Sequence, residues 1–141
     1  MGLYGKKGAR GKGGNFVHWM IEKANNNEVI KVVDDITMSP TYTRDLAEMI
    51  KNIIEKELPY GIYHVVNQGY CSWFEFAKKI FECFNIDAKL FPIKIDELGR
   101  KAKRPGFSAL ENAKINSFGL RMRNWEDALK DYLIEKSGGT E

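Results

Sequence analysis

The sequence predicts a small α+β unit in which helices alternate with short strands around one core. Two observations carry this. Apolar residues recur at helical spacing in several segments, and short β-branched or aromatic runs stand between them. The length, 141 residues, allows one domain with a real core, and three short strands are too few for a doubly wound sheet.

The elements follow in order. From Gly5 to Gly14 glycines and lysines crowd together, which suits neither helix nor strand and reads as a loop. Asn15 then caps a helix whose apolar face is Phe16, Val17, Met20, Ile21 and Ala24, and three asparagines end it. Val29 to Val33 reads as a strand. Ser39 must be extended because Pro40 follows it. A helix from about Arg44 to Glu57 carries Leu46, Ala47, Ile50, Ile53 and Ile54 on one side, and Pro59 stops it. Gly61 to Val66 reads as a strand and Asn67 to Tyr70 as a turn. Ser72 with Glu75 three residues on forms a capping box ahead of Phe76, Ala77, Ile80, Phe81 and Phe84. Lys89 to Ile93 is the third strand, followed by a loop to Phe107 and a short helix near Asn112 to Ser117. Asn124 caps the last helix, with the stripe Trp125, Ala128, Leu129, Tyr132 and Leu133. The organisation expected is a flexible Gly/Lys-rich segment over 1–14, a binding domain over 15–136 and a disordered tail over 137–141.

Composition narrows the function classes. Hydrophobic residues make up 43% and aromatics 12%, which are globular values. No apolar run approaches the roughly 18 residues of a membrane helix, and the basic, glycine-rich start lacks the apolar core of a secretory leader. Two cysteines, Cys71 and Cys83, make neither a disulfide framework nor a metal cluster, and Cys83 reads as a small buried hydrophobe. The expectation is a reduced, cytoplasmic protein that needs no metal. Net charge is only +3, yet Lys6, Lys7, Arg10 and Lys12 cluster, as do Lys94, Arg100, Lys101, Lys103 and Arg104. Two such loops suit one polyanion such as a nucleotide diphosphate, or they are solvated loops; charge alone leaves both open.

Familiar catalytic signatures are missing from the sequence. No strand is followed by the Gly-x-Gly-x-x-Gly spacing of a dinucleotide cradle, and Lys12 is followed by Gly13 where a P-loop needs a hydroxyl. His18 and His64 lack partners at metal-ligand spacing. Tyr132 and Lys136 have the Tyr-x-x-x-Lys spacing of a hydride-transfer pair. However, Tyr132 belongs to an apolar stripe, and Lys136 suits the negative end of the helix dipole. No catalytic residue and no cofactor-binding residue is assigned.

Nine short runs, in order, resemble the C-terminal part of the dTDP-4-dehydrorhamnose reductase family of extended short-chain dehydrogenases. They are Leu3-Tyr4-Gly5, Gly14-Asn15-Phe16, Val32-Val33-Asp34-Asp35, Ser39-Pro40-Thr41-Tyr42-Thr43, Asp45-Leu46-Ala47 and Gly61-Ile62-Tyr63-His64. The series closes with Ser72-Trp73 plus Glu75-Phe76-Ala77, Arg104-Pro105 plus Ser108 and Leu110, and Trp125 plus Ala128-Leu129. The resemblance implies the substrate-binding domain of such an enzyme, without the N-terminal Rossmann half that holds NADPH or NADH and the catalytic Tyr and Lys. The parent would reduce the 4-keto group of a dTDP-linked 6-deoxyhexose, and this chain alone would bind no cofactor and turn over nothing.

Residue by residue, Asn15 and Phe16 match a helix start beside the nucleotide diphosphate, where free N–H groups suit phosphate. Arg104 matches the arginine of an Arg-Pro-x-x-Ser segment near the sugar nucleotide, and Ser108 adds a hydroxyl. Pro40 and Thr41 match a segment bordering the pocket, while Trp73 and Trp125 match core positions. Where relatives often carry a tryptophan lining the sugar site, this chain has Gly2, which leaves the sugar open. The implied partners are a dTDP-sugar and the missing Rossmann half, with a homodimer possible through faces that half would cover. A non-catalytic module like the regulatory subunit of methionine adenosyltransferase is the alternative. A nucleic-acid ligand is disfavoured because only Tyr4 stands near the basic loop.

Overall fold

The computed structural model describes residues 2–6, 14–99 and 102–138. Its strands are short and lie in three pairs. β1 (Gly2–Tyr4) runs parallel to β4 (Pro40–Tyr42) with Tyr4 opposite Tyr42. β2 (Ile30–Val33) runs parallel to β6 (Leu90–Ile93), and β3 (Thr37–Met38) is antiparallel to β5 (Cys71–Ser72). Five helices surround them: α1 (Phe16–Asn25), α2 (Thr43–Glu55), α3 (Trp73–Phe84), α4 (Ala113–Ser117) and α5 (Trp125–Ser137). The α+β class expected from the sequence is the class observed, and no helix of the described residues is long and apolar enough to cross a membrane.

Local signals set most helix ends. The Ser72–Glu75 capping box is complete, with Ser72 Oγ accepting from Glu75 N at 3.0 Å and Glu75 Oε2 accepting from Ser72 N at 2.7 Å. Asn124 caps α5 through Glu126 N. Asn27 and Asn85 take left-handed conformations, φ 55° and 52°, just past α1 and α3, as short polar side chains permit. The apolar faces of α1, α3 and α5 then meet in one core with β1, β2 and β4. Tyr4 lies at its centre, stacked on Tyr42 at 5.7 Å and edge-on to Tyr132 at 5.3 Å. A second, smaller cluster joins Met49 of α2 to Ile115, Leu120 and Met122.

The structure departs from the sequence reading in five places. Gly2–Tyr4, assigned to the flexible stretch 1–14, form β1, because pairing with β4 buries Tyr4 completely; residues 7–13 of that stretch lie outside the described residues. Residues 61–66 join no ladder. At their end Asn112 takes both backbone groups of Val66, accepting from its N–H at 3.0 Å and donating to its carbonyl at 2.7 Å, so a side chain stands where a neighbouring strand would. The apolar stripe of α2 is real but largely uncovered: Ile54 is 69% exposed, Ile50 is exposed, and only Met49 of the helix is buried. Cys83, expected to be a small buried hydrophobe, is exposed, while Cys71 is buried. Finally, α5 continues to Ser137 with Gly138 as its cap, and 139–141 lie outside the described residues.

One tertiary link is titratable. Tyr42 Oη donates to Glu135 Oε2 at 2.7 Å, and Arg44 pairs with the other oxygen of that carboxylate. Burial, and then the Glu135 acceptor, pushes the Tyr42 phenol up to about 12. The Tyr42 hydrogen bond, and then Arg44, holds Glu135 below its ordinary value of 4.5. The Tyr42 part is therefore fully present below pH 10 and lost as pH rises toward 12. The Glu135 part is present above 4.5 and lost as acid protonates it. Urea midpoints across this range should fall at both ends for the wild type and less steeply for Tyr42→Phe; parallel profiles for the two would sink the assignment.

Candidate functional site

Four of the six sequence-assigned residues fall into two groups with Trp73 between them. The first is the start of α1. Asn15 Oδ1 accepts from His18 N at 3.0 Å, while Asn15 Nδ2 donates to Gly5 O at 2.7 Å and to Tyr132 Oη at 3.1 Å. Its side chain thus ties the helix start to β1 and to α5. Helix geometry still leaves the first amides of α1, at Phe16 and Val17, without intrahelical acceptors, and these are the groups an anion would meet. Gly5 must be glycine here, because a Cβ would stand 2.0 Å from Thr43 Oγ1. The Phe16 ring packs on Trp73 at 4.7 Å and stacks on Phe76 at 5.7 Å.

The second group is the segment around Arg104. Thr37 N donates to Gly106 O at 2.7 Å, and Ser108 donates to Thr37 O through both its N (2.9 Å) and its Oγ (3.1 Å). Leu110 N donates to Ser39 Oγ at 3.2 Å. These bonds pin the segment beside β3 and leave Arg104 exposed at its near end. Arg104 and Lys103 line a pocket of about 290 Å3 with Ile95, Asp96, Gly99 and Ala102. A 3-10 turn, Ile95–Leu98, forms one wall and is held by Asp35, which accepts from Ile95 N at 3.0 Å. Lys94 is neutralised by Asp34 at 2.9 Å, whereas Arg104 makes none of the ion pairs among the described residues. Arg100 and Lys101 lie outside those residues.

Trp73 connects the groups: its ring meets Phe16, and its backbone N–H donates to Ile36 O at 3.3 Å, one residue before Thr37. A Cβ on Gly2 would lie 2.9 Å from Met38 Sδ and 3.0 Å from Trp73 Cη2. The space a side chain at position 2 would take is therefore already filled by Trp73 and Met38. Pro40 and Thr41 sit inside the fold. Thr41 is 0% exposed, and its Oγ1 donates to Ser39 O and accepts from Asn67 N, each at 3.4 Å. The segment shapes its surroundings through β4, not through an open side chain.

Tyr132 and Lys136 are directed to separate partners. Tyr132 accepts from Asn15 within the tyrosine cluster, and Lys136 Nζ lies 3.3 Å from His18 Nδ1 with its own pKa lowered by burial. Among the described residues no three His, Cys, Asp or Glu side chains gather as a metal site. Sequence reasoning missed Asn67 and Asn112, two wholly or nearly buried amides that hold loop backbone, and the exposed ring pair Tyr70 and Phe107. The amides gave no local signal, since their partners lie 25 and 46 residues away.

Comparison with known proteins places this geometry. The model of the RmlD substrate binding domain matches residues 2–137. A spore coat polysaccharide biosynthesis protein of Bacillus subtilis is 42% identical over 125 residues, which cover 89% of this chain and 44% of that protein. A dTDP-4-dehydrorhamnose reductase of Mycolicibacterium smegmatis is 34% identical, over 92% of this chain and 40% of its own length. The crystal structure of the dTDP-4-dehydrorhamnose reductase of Bacillus anthracis in complex with NADP superposes with a TM-score of 0.86 at 44% identity, covering 94% of this chain and 46% of that one. The chain spans less than half the length of these relatives.

Proposed function

This chain belongs to the RmlD substrate-binding domain family, and on that footing we propose that it is the nucleotide-sugar-binding part of a reductase acting on a dTDP-linked 4-keto-6-deoxyhexose. The observation that carries the proposal is a family match across nearly the whole chain that includes an unpaired arginine beside a pocket. In this reading the first amides of α1 and the Arg104 guanidinium take the diphosphate, with the segment through Ser108 held rigid by Thr37.

NADPH or NADH would supply the hydride. The residues do not fit that cofactor: the glycines from Gly5 to Gly14 lack the Gly-x-Gly-x-x-Gly spacing of a dinucleotide cradle, and the Tyr132 hydroxyl is already engaged by Asn15. Cofactor and proton donor belong to a preceding half. Apolar residues this chain leaves open support a covering half: Leu3 on β1, Ile50 and Ile54 on α2, and Ile62, which is 83% exposed on the unpaired stretch. A lone copy of the chain would offer the same surface to a second copy.

The test is a titration of the isotope-labelled chain with dTDP and dTDP-rhamnose, followed by NMR. Saturable shifts are expected at Asn15, Phe16, Arg104 and Ser108, and Arg104→Ala should weaken dTDP about tenfold, the loss of one charge-assisted phosphate contact. A chain that shows no shift with either nucleotide would overturn the reading.

A further inference from the structure

Beside the β3–β5 pair two aromatic rings, Tyr70 and Phe107, stand open to solvent. Ser72, Thr37 and Phe107 lie abreast in register, and Tyr70, two residues before Ser72, shares their face. Met38, Cys71 and Ser72 are buried, so the strands themselves are covered and the two rings stand outside them. Tyr70 is 64% exposed and Phe107 63%, and their rings meet edge to face at 5.6 Å and 69°. Single exposed apolar residues are ordinary, but a paired platform three residues along the chain from an arginine that makes no ion pair among the described residues is a stacking surface with a charge beside it. Three residues of chain reach at most about 10 Å, of the order of the span from a pyrimidine ring to the diphosphate of its nucleotide.

We infer that the Tyr70–Phe107 pair seats the pyrimidine ring of a nucleoside diphosphate whose phosphates are held by Arg104. The inference rests on the proposed function and adds the residues that hold the base. The charge at Arg104 selects this occupant over an apolar partner surface, which would leave the guanidinium unmatched. Stacking is tolerant of base identity, so dTDP and UDP should gain alike from the pair.

The experiment compares dTDP and inorganic pyrophosphate by calorimetry on the full 141-residue chain and its variants. Phe107→Ala should weaken dTDP roughly 5- to 100-fold, the size of one lost base–aromatic stack. Pyrophosphate affinity should stay within about twofold, because its contacts are with Arg104 and the first amides of α1 and none is with the rings. Phe107→Leu keeps apolar bulk without a π-face and should lose affinity as the alanine variant does, while Phe107→Trp should keep it. Phe107 is exposed, so all three variants should unfold at the wild-type midpoint. If dTDP binding falls with Arg104→Ala but not with Phe107→Ala or Phe107→Leu, the inference fails and the proposed function stands. A chain that binds neither dTDP nor pyrophosphate overturns both.

Discussion

Asn67→Ala is expected to lower the free energy of unfolding by about 2–4 kcal/mol. Asn67 is 0% exposed and spends its side chain on three elements at once. Its Oδ1 accepts from Tyr42 N at 2.8 Å, and its Nδ2 donates to Asp45 Oδ2 at 2.7 Å and to Arg123 O at 3.3 Å. Tyr42 is the N-cap of α2 and has no side-chain cap bond of its own, so truncation strands a buried N–H at that junction. An unpaired buried donor costs about 1–3 kcal/mol, and the vacated volume adds to that. Asp45 would keep Arg123, whose guanidinium it binds through Nε and Nη2 at 2.8 Å each. Asn67→Asp keeps the acceptor for Tyr42 but sets a second carboxylate against Asp45. Its deficit should therefore be larger at pH 7 than at pH 4. Urea unfolding followed by circular dichroism reads both variants, and an alanine variant within about 0.5 kcal/mol of wild type would refute this role.

That residue also shows where the sequence stops being readable. The caps at Asn15, Ser72 and Asn124 were legible because each bond closes within three residues, so residue type and spacing suffice. β1 was not, because nothing within Gly2–Tyr4 shows that Pro40–Tyr42 will lie alongside; the glycine-rich stretch that follows pointed to a loop. Residues 61–66 have strand composition, yet their local composition cannot show whether a ladder partner is present. Here Asn112 substitutes at one end and the rest stays open. The α2 stripe is the same case on a helix: the period is right, yet Ile50 and Ile54 stay exposed. At the candidate site, Arg104 and Ser108 were singled out through a motif, which reports position along the chain. The Tyr70–Phe107 pairing needs the register of β3 against two strands, and no local spacing encodes that.

Phe76→Ala should cost about 3–5 kcal/mol, a large share of the roughly 5–15 kcal/mol that stabilises an ordinary domain. Phe76 is 1% exposed and touches a ring from almost every layer of the fold. Its neighbours are Tyr4 of β1 at 5.5 Å, Phe16 of α1 at 5.7 Å, Trp73 at 6.4 Å and Trp125 of α5 at 5.7 Å. Four rigid rings cannot collapse into the space a fifth leaves, so the cavity term persists in full. Phe76→Leu refills most of that volume and should cost less than half as much. The same geometry links packing to the site. Phe16 is held between Phe76 and Trp73, and α1 begins at Phe16, so the alanine variant should also loosen the helix start proposed to meet phosphate. Hydrogen exchange at the first turn of α1 should then speed up well beyond that at α4, which packs in the other cluster. Equal acceleration at both would mean that Phe76 supports the fold only globally and has no special hold on the first turn of α1.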